Sequence, residues 1–263
     1  MQSARSLALV TGASSGIGAA LAERLARDGR DVVVVARRRE RLEELAAHLR
    51  EETGAAVEVL VADLTDTAQV RLREGRIAGE ARLDLLVNNA GFSGYGPFVE
   101  IDQHVAGDLI AIHIETPVRL ARAALPGMLA RGRGAVVNVA SLLALSGPLQ
   151  LPMPGRATYA GAKSFLLTFT QLLAAELEGT GVRAMVCLPG MVESEFHGIG
   201  GLPEMQLLTA ADVAQAIVAG LELREVVCVP TLGDAAVFER LRELQQSALT
   251  AARSTELAER YRP

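Results

Sequence analysis

Hydrophobic residues in this chain fall into short runs, separated by longer stretches in which apolar positions recur with helical spacing. Seven of the short runs are apolar almost throughout: SLALVT, DVVVVA, AVEVLVA, LDLLVNN, GAVVNVA, VRAMVCL and EVVCVP. Apolar strands of this kind are typical of a parallel sheet that is covered by helices on both faces. Strand and helix alternate along the chain, so the pattern predicts right-handed strand–helix–strand units and a doubly wound α/β sheet.

Helical spacing fills the segments between these strands. The predicted helices are IGAALAERLARDG, RERLEELAAHLREETG, a weak helix around residues 66–80, DQHVAGDLIAIHIETPVRLARAALPGMLARG, YAGAKSFLLTFTQLLAAELEG and TAADVAQAIVAGLEL. A further amphipathic helix, AAVFERLRELQQSAL, follows the last strand. We therefore predict one α/β domain over residues 1–233 and a C-terminal helical extension over residues 234–263.

Composition narrows the possible partners and location. Half of the 263 residues are hydrophobic, which is enough to bury a large core. The net charge of -5 disfavours binding to nucleic acid or to anionic membranes. No apolar run approaches the roughly 20 residues of a membrane span, and the N-terminus MQSARSLALVTG lacks the features of a signal peptide. The composition thus predicts a cytoplasmic protein without nucleic-acid or membrane partners.

The cysteines and histidines give no sign of a metal site. Cys187 and Cys228 lie in the apolar segments MVCLPG and VVCVP, which predicts buried free thiols. The four histidines are scattered along the chain and show no metal-ligand spacing. We therefore predict no bound metal.

A glycine-rich turn links the first strand to the first helix. The segment LALVTGASSGIGAALAERL places Gly12, Gly16 and Gly18 there. Small residues let the backbone approach a pyrophosphate, and the helix N-terminus offers free N–H groups and a positive dipole end. The spacing G-x-x-x-G-x-G departs from the common G-x-G-x-x-G pattern. Its position in a strand–helix unit nevertheless favours a dinucleotide site.

The end of the second strand favours one dinucleotide over another. A site for NAD usually has an acidic residue there, which binds the ribose hydroxyls. This strand ends VVVVAR, with Ala36 in the place of the acid and Arg37 next. A planar guanidinium suits a 2′-phosphate. We therefore predict NADP(H), with NAD(H) as the alternative if Arg37 only faces solvent.

The chain has a single lysine, Lys163, among 25 arginines. It follows Tyr159 by four residues in ATYAGAKSF, so on a helix the two side chains share a face. Lysine differs from arginine in being a compact charge whose pKa responds to its surroundings. This pair therefore indicates a phenol with an ammonium beside it.

Together these motifs resemble the short-chain dehydrogenase/reductase family in its compact form, from about residue 5 to residue 230. TGASSGIG resembles the family's cofactor turn, NNAG at 88–91 its fourth-strand motif and YAGAK its Tyr-x-x-x-Lys. Asp63 in VADLTD matches the acid at the adenine end, and Ser141 in NVAS matches the active-site serine. PGMVESEF is similar to the segment that binds the nicotinamide carboxamide. The resemblance implies a Rossmann fold and a site for NADP(H).

Hydride transfer between the nicotinamide and a carbonyl/alcohol pair is the chemistry that this resemblance implies. Tyr159 would exchange a proton with the substrate oxygen. A phenol with a pKa of ~10 needs about 4 kcal/mol of help to ionise near neutral pH. An ammonium about 4 Å away supplies about that much at an effective dielectric constant near 20. We therefore expect Lys163 to lower the pKa of Tyr159 in a site that excludes water.

The resemblance also implies the members of the site. The catalytic candidates are Ser141, Tyr159, Lys163 and His113. The cofactor-binding candidates are Gly12, Ser14, Ser15, Gly16, Ile17, Gly18, Arg37, Arg38, Asp63, Leu64, Asn89, Ala90, Gly91, Tyr159, Lys163, Pro189, Gly190, Val192 and Ser194.

Two positions depart from the family's pattern. Ser141 precedes Tyr159 by 18 residues, a longer gap than usual, so Ser146 is a rival. We prefer Ser141 because it directly follows a predicted strand, where the sheet opens onto the ligand crevice. His113 stands where the family has an asparagine. Its imidazole could continue a proton relay, or it could be a packed, hydrogen-bonded histidine.

The sequence thus predicts an NADPH-dependent carbonyl reductase, or ketoreductase, for a moderately apolar ketone or alcohol. An NAD-linked alcohol dehydrogenase working in the oxidative direction is one alternative. A non-catalytic regulator that senses a dinucleotide is another. By resemblance we expect a homodimer or homotetramer, paired through the long helices at 102–131 and 157–179.

Overall fold

Seven parallel strands form one sheet in the part of the chain that the computed structural model describes, residues 5–147, 149, 155–193, 207–234 and 236–262. The strands are β1 (Leu7–Thr11), β2 (Asp31–Ala36), β3 (Val57–Val61), β4 (Leu83–Asn88), β5 (Gly134–Val139), β6 (Val182–Cys187) and β7 (Val227–Cys228). Their order is β3-β2-β1-β4-β5-β6-β7. The predicted doubly wound parallel sheet is therefore confirmed. The strand order reverses between β1 and β4, which is where such sheets open a ligand crevice.

Helices connect the strands as the pattern predicts. They are α1 (Gly16–Arg27), α2 (Arg39–Thr53), α3 (Thr67–Ala78), α4 (Gln103–Ile110), α5 (Thr116–Arg131), α6 (Ala157–Glu176), α7 (Ala210–Leu223) and α8 (Ala236–Ala251). The long helix expected after β4 is divided, because a π-helical turn at Ala111–Glu115 separates α4 from α5. Turns of this kind often occur at functional sites.

Local side-chain chemistry determines where several helices begin. Asp66 caps α3 by accepting hydrogen bonds from the backbone N–H groups of Ala68 and Gln69, at 2.7 and 3.2 Å. Thr209 and Asp212 form a reciprocal capping box at the start of α7. Such caps satisfy backbone N–H groups that have no partner within the helix.

The hydrophobic core lies on both faces of the sheet. Along β1, Ala8 and Val10 face the layer that contains α1, α2 and α7. Leu7 and Leu9 face the opposite layer, which contains α3, α5 and α6. Every residue of β1 is buried. This two-sided burial is the reason that the strands are apolar throughout rather than alternating.

The two cysteines stand side by side at one edge of the sheet. Cys187 on β6 and Cys228 on β7 are register partners, and both are buried free thiols as predicted. The backbone N–H of Leu188 donates to the Cys228 carbonyl at 2.8 Å. β7 thereby supports the segment that leaves β6 towards Pro189.

The chain divides into two compact units, residues 1–230 and 231–263. The second unit contains α8 and a short 3₁₀ turn at Glu259–Tyr261. Exposed ion pairs occur within it, such as Arg240 with Asp234 at 3.3 Å. Among the described helices, none is both long enough and apolar enough to cross a membrane.

Candidate active site

The glycine-rich turn packs closely against the end of β4. Gly12 has a φ of +69°, and a Cβ atom there would lie 2.8 Å from the Cα of Ala90. A Cβ atom on Gly18 would lie 2.6 Å from the side-chain amide nitrogen of Asn89. Larger residues would collide with backbone or amide atoms at both positions. The turn and the start of α1 therefore pack tightly against the end of β4, while Gly12 and Gly16 line the neighbouring cavity.

Thr11 joins the ends of β1 and β4 at the sheet's switch point. Its hydroxyl donates to the Val87 carbonyl at 3.2 Å and accepts the backbone N–H groups of Asn89 and Ala90 at 2.9 and 3.0 Å. The Asn89 side-chain amide donates to the Thr11 carbonyl at 2.9 Å. These bonds fix the two loops that border the crevice. Thr11 was not among the residues predicted from the sequence, although its place directly before Gly12 in VTG was a usable signal.

A cavity of about 610 Å³ runs along this edge of the sheet. It joins the glycine turn to the start of α6. The predicted site residues that line it are Gly12, Ser14, Ser15, Gly16, Ile17, Arg37, Arg38, Asp63, Leu64, Asn89, Ala90, Gly91, Ser141, Tyr159, Lys163, Pro189, Gly190 and Val192. Gly18 lies under the turn, and His113 lies behind the wall formed by Gly91 and Phe92. Ser194 lies outside the described residues.

Arg37 and Arg38 lie at one end of the cavity and differ in their contacts. Arg38 donates to the hydroxyls of Ser14 at 2.9 Å and Ser15 at 2.6 Å. Arg37 points outward with 69% of its side chain exposed, and its Nη1 lies 3.9 Å from Oδ2 of Asp63. Asp63 also accepts the backbone N–H and the hydroxyl of Thr65, at 3.0 and 2.8 Å. This end of the cavity therefore presents two cations, one of them held against the phosphate-binding turn.

Of the two rival serines, Ser141 is the one beside Tyr159. Ser141 lines the cavity and hydrogen-bonds the Tyr159 phenol. Ser146 is 3% exposed and its hydroxyl donates to the Leu143 carbonyl at 2.8 Å. The same hydroxyl accepts Nε–H of Arg156 at 3.3 Å. Ser146 is thus engaged in the loop that follows β5.

Tyr159 and Lys163 share one face of α6, as their spacing predicts. Their residues are 5% and 4% exposed, and Nζ of Lys163 lies 5.5 Å from the centre of the Tyr159 ring. Nζ donates to the Val139 carbonyl at 2.9 Å, which ties α6 to the end of β5. Burial lowers the pKa of Lys163 to about 7.

The pKa of Tyr159 differs from our expectation. Burial raises it above the ordinary value of a phenol, and Tyr95 raises it further. The hydrogen bond with Ser141 acts in the opposite direction but is the smaller effect. The expected lowering by Lys163 was therefore wrong for the protein residues alone. The pKa of Tyr159 is raised because the phenol loses its hydration in the folded protein. The Lys163 amine is itself desolvated and binds the Val139 carbonyl.

Tyr95 forms an aromatic wall opposite the proposed proton donor. Its ring meets the Tyr159 ring edge-on, with centroids 5.4 Å apart and planes at 81°. The backbone N–H of Gly96 donates to the Gly155 carbonyl at 2.8 Å, directly before α6. Gly155 has a φ of +71°, and a Cβ atom there would lie 2.7 Å from the backbone nitrogen of Pro97. The Tyr95 loop is therefore held against the turn that introduces Tyr159.

A buried amide chain beneath the cavity was also missed by the sequence analysis. The Asn88 amide donates to Oδ1 of Asn138 at 2.9 Å, and the Asn138 amide donates to the Thr170 hydroxyl at 2.9 Å. Thr170 in turn donates to the Leu166 carbonyl at 2.6 Å. This chain connects β4, β5 and α6. Its visible signals were the polar residues Asn88 in NNAG and Asn138 in GAVVNVA.

Comparison with known proteins agrees with this fold. Residues 6–198 match the short chain dehydrogenase family, and the chain belongs to that family of oxidoreductases. A short chain dehydrogenase from Pseudocercospora fijiensis is 36% identical over 207 residues, which cover 78% of this chain and 64% of that protein.

Two solved structures superimpose closely. A short-chain dehydrogenase from Sphingobium yanoikuyae in complex with NADPH is 37% identical with a TM-score of 0.91, covering 97% of this chain and 100% of that one. A bulky-bulky ketone specific alcohol dehydrogenase from Comamonas testosteroni is 32% identical with a TM-score of 0.90, covering 99% and 100%.

Proposed function

We propose that this protein is an NADPH-dependent carbonyl reductase for moderately apolar ketones. The observation that carries the proposal is the convergence of Ser141, Tyr159 and Lys163 on the same cavity as the glycine-rich turn. The cavity's volume and the glycine-rich turn before α1 that lines it fit a dinucleotide. The NADPH complex of the Sphingobium yanoikuyae relative supports the same cofactor.

The cations at one end of the cavity support NADP(H) over NAD(H). No carboxylate occupies the end of β2, where Ala36 stands. Arg38 is hydrogen-bonded to the serines of the glycine-rich turn. Arg37 directly follows Ala36, the last residue of β2, and lies near Asp63. A 2′-phosphate between these two guanidiniums would form charge-assisted hydrogen bonds. Arg38 is the one of the two that is hydrogen-bonded to the turn, and so it is the first target for mutation.

The reactive end of the cavity supports carbonyl reduction. NADPH, when bound, supplies the hydride for this chemistry. The phenol of Tyr159 is protonated at neutral pH, and because burial raises its pKa, donation to a carbonyl oxygen requires a nearby group that stabilises the remaining phenolate. Ser141 lies beside that phenol and can hold the same oxygen. Below about pH 7 the Lys163 amine is charged and favours the phenolate that remains after donation.

Apolar side chains support an uncharged substrate. Phe92, Tyr95, Leu142, Leu143 and Met191 line the cavity near Tyr159. Apolar pockets with a few directed polar groups are typical of sites for small organic ligands. The ketone specificity named for the Comamonas testosteroni relative agrees with this substrate class.

Exposed apolar residues on α6 support the proposed homodimer or homotetramer. Phe165 and Leu172 are 38% and 62% exposed, and the Phe165 ring stacks on Phe169 at 5.8 Å. Burial of this face against the same helix of a second copy would remove apolar surface from water. Light scattering should therefore give the mass of a dimer or a tetramer, and a monomer would contradict this assembly.

The function is tested by cofactor binding and ketone turnover in the parent and three variants. We expect NADPH to bind about 10–100-fold more tightly than NADH, and Arg38→Ala to remove most of that difference. Arg39→Ala is the matched control, because Arg39 pairs with Glu43 at 3.8 Å on α2. Tyr159→Phe should reduce ketone turnover by about 10³-fold without changing NADPH affinity. Equal affinity for the two cofactors would contradict the NADP(H) preference, and an active Tyr159→Phe variant would contradict the proton donor.

A further inference from the structure

His113 occupies a closed position between β4 and the start of α6. It lies in the π-helical turn Ala111–Glu115 and is 1% exposed. Its ring meets the Tyr159 ring edge-on, with centroids 5.3 Å apart and planes at 88°. On another side it meets the Phe92 ring at 6.2 Å. The imidazole is therefore packed directly against the proposed proton donor.

One hydrogen bond identifies the tautomer of this imidazole. Nε2 of His113 lies 2.9 Å from the Phe92 carbonyl oxygen. A carbonyl oxygen only accepts hydrogen bonds, so Nε2 carries the proton. Burial and the nearby Lys163 amine lower the pKa of His113 well below its ordinary value, although the bond to Phe92 opposes them. The ring is thus neutral at neutral pH, with Nδ1 unprotonated.

The backbone of Gly91 lies so close to the His113 ring that a side chain on residue 91 would collide with the ring. A Cβ atom on Gly91 would lie 2.9 Å from Nδ1 of His113 and closer still to Cε1. The ring is therefore held between the Gly91 backbone on one side and Tyr159 on the other. Gly91 and Phe92 both line the cavity, so the imidazole touches the wall of the site from behind.

We propose that His113 is a positioning residue: its Nε2–H holds the Phe92 carbonyl, its ring braces Tyr159, and no proton passes through it during turnover. This inference rests on the proposed reductase function. It differs from the relay that our sequence analysis considered, because a relay requires the imidazole to gain and lose a proton. It also differs from a purely structural histidine, because the atoms that it holds belong to the site.

Two amide substitutions separate these roles. The side-chain nitrogen of glutamine reaches the place of Nε2 of histidine, whereas that of asparagine reaches the place of Nδ1. His113→Gln therefore keeps a donor for the Phe92 carbonyl, and His113→Asn does not. If Nε2 is the atom that matters, glutamine should rescue the function and asparagine should not.

The first test measures kcat, KM for a ketone and Kd for NADPH in His113→Gln and His113→Asn. We expect the glutamine variant to keep kcat within about 5-fold of the parent and the asparagine variant to lose about 10–100-fold. NADPH affinity should stay within about 2-fold in both. The midpoints of the pH profile should not move, since the imidazole does not titrate. His104→Gln, the same change at an exposed position of α4, is the matched control and should alter nothing.

Two results would overturn the proposal: an asparagine variant that is faster than the glutamine variant, or a glutamine variant whose pH profile shifts. A parent enzyme without ketone turnover would instead refute the proposed function. A second measurement then still tests the positioning role. Nitrogen-15 NMR of the histidine side chains should show His113, identified by its loss in His113→Gln, protonated at Nε2 and constant between about pH 5.5 and 8. A protonated Nδ1, or titration in that range, would refute the inference.

Discussion

Lys163 keeps its amine inside the protein, where it is 4% exposed and burial lowers its pKa from 10.5 to about 7. One pKa unit corresponds to about 1.4 kcal/mol. Keeping this amine charged in the folded state therefore costs about 5 kcal/mol. We expect Lys163→Met, which substitutes an apolar chain of similar length, to stabilise the fold while abolishing turnover.

The size of this stabilisation should depend on pH. Because the folded-state pKa of Lys163 is lowered, the unfolded chain binds more protons between about pH 7 and 10, and the parent becomes more stable as pH rises through that window. The parent carries a destabilisation of about 5 kcal/mol at about pH 6 and about 2 kcal/mol at about pH 9. The variant has no amine to titrate. Its advantage over the parent should therefore shrink by about 3 kcal/mol between those two pH values.

Urea unfolding of both proteins at the two pH values measures this change. The lost bond to the Val139 carbonyl and any change in packing contribute equally at both, so they cancel in the comparison. Arg39→Met is the control, because it removes an exposed cation that pairs with Glu43 on α2 and should give no pH-dependent difference. An advantage that is the same at both pH values would refute the reasoning about desolvation.

Because the chain has no other lysine, the pKa of the Lys163 amine can be measured directly. Protein grown with lysine labelled at Cε carries one such side chain, so its carbon-13 spectrum follows Lys163 alone. The signal should titrate with a midpoint near the value of about 7 that burial produces. A midpoint near the ordinary ~10.4 would show that water reaches the amine.

Three further variants test the wall of the cavity and the loop that follows β5. Ser141→Ala should lower kcat by about 10²-fold, because its hydroxyl lies beside the Tyr159 phenol. Ser146→Ala should keep turnover and lose about 1 kcal/mol of unfolding free energy, because Arg156 loses an acceptor. Steady-state kinetics and urea unfolding measure the two effects. Lost turnover in Ser146→Ala with turnover kept in Ser141→Ala would contradict this assignment. Tyr95→Ala should raise kcat/KM for bulky ketones about 10-fold relative to small ones. A ratio unchanged across a ketone panel would exclude Tyr95 as the limiting wall.

Much of the fold followed from the sequence because its causes are local. The apolar runs predict buried parallel strands, and the glycine turn predicts the loop between β1 and α1. The spacing of Tyr159 and Lys163 predicts a shared helix face, and the preference for Ser141 over Ser146 depended only on its place after a strand. Each of these inferences needs no knowledge of what packs against the segment in question.

Features that depend on distant neighbours were not predictable in this way. The amide chain through Asn138 joins residues from three elements, so no single segment reveals it. The pKa of Tyr159 depends on how completely the folded protein removes water from the phenol, and that burial is the largest cause of its rise. The fit of His113 against Gly91 likewise arises only when α4, α5 and β4 come together.

The contact between Gly96 and Gly155 has a consequence for attempts to change substrate range in the laboratory. It joins two backbone segments: a Cβ atom on Gly155 would lie 2.7 Å from the backbone nitrogen of Pro97, whereas one on Gly96 would meet only the Ile101 side chain at 3.3 Å. Libraries that randomise the neighbourhood of Tyr95 should hold Gly155 constant, because a bulkier residue there would displace the phenol donor together with the wall being redesigned. Diversity is better directed at Phe92, Leu142 and Leu143, whose side chains line the cavity without taking part in that junction.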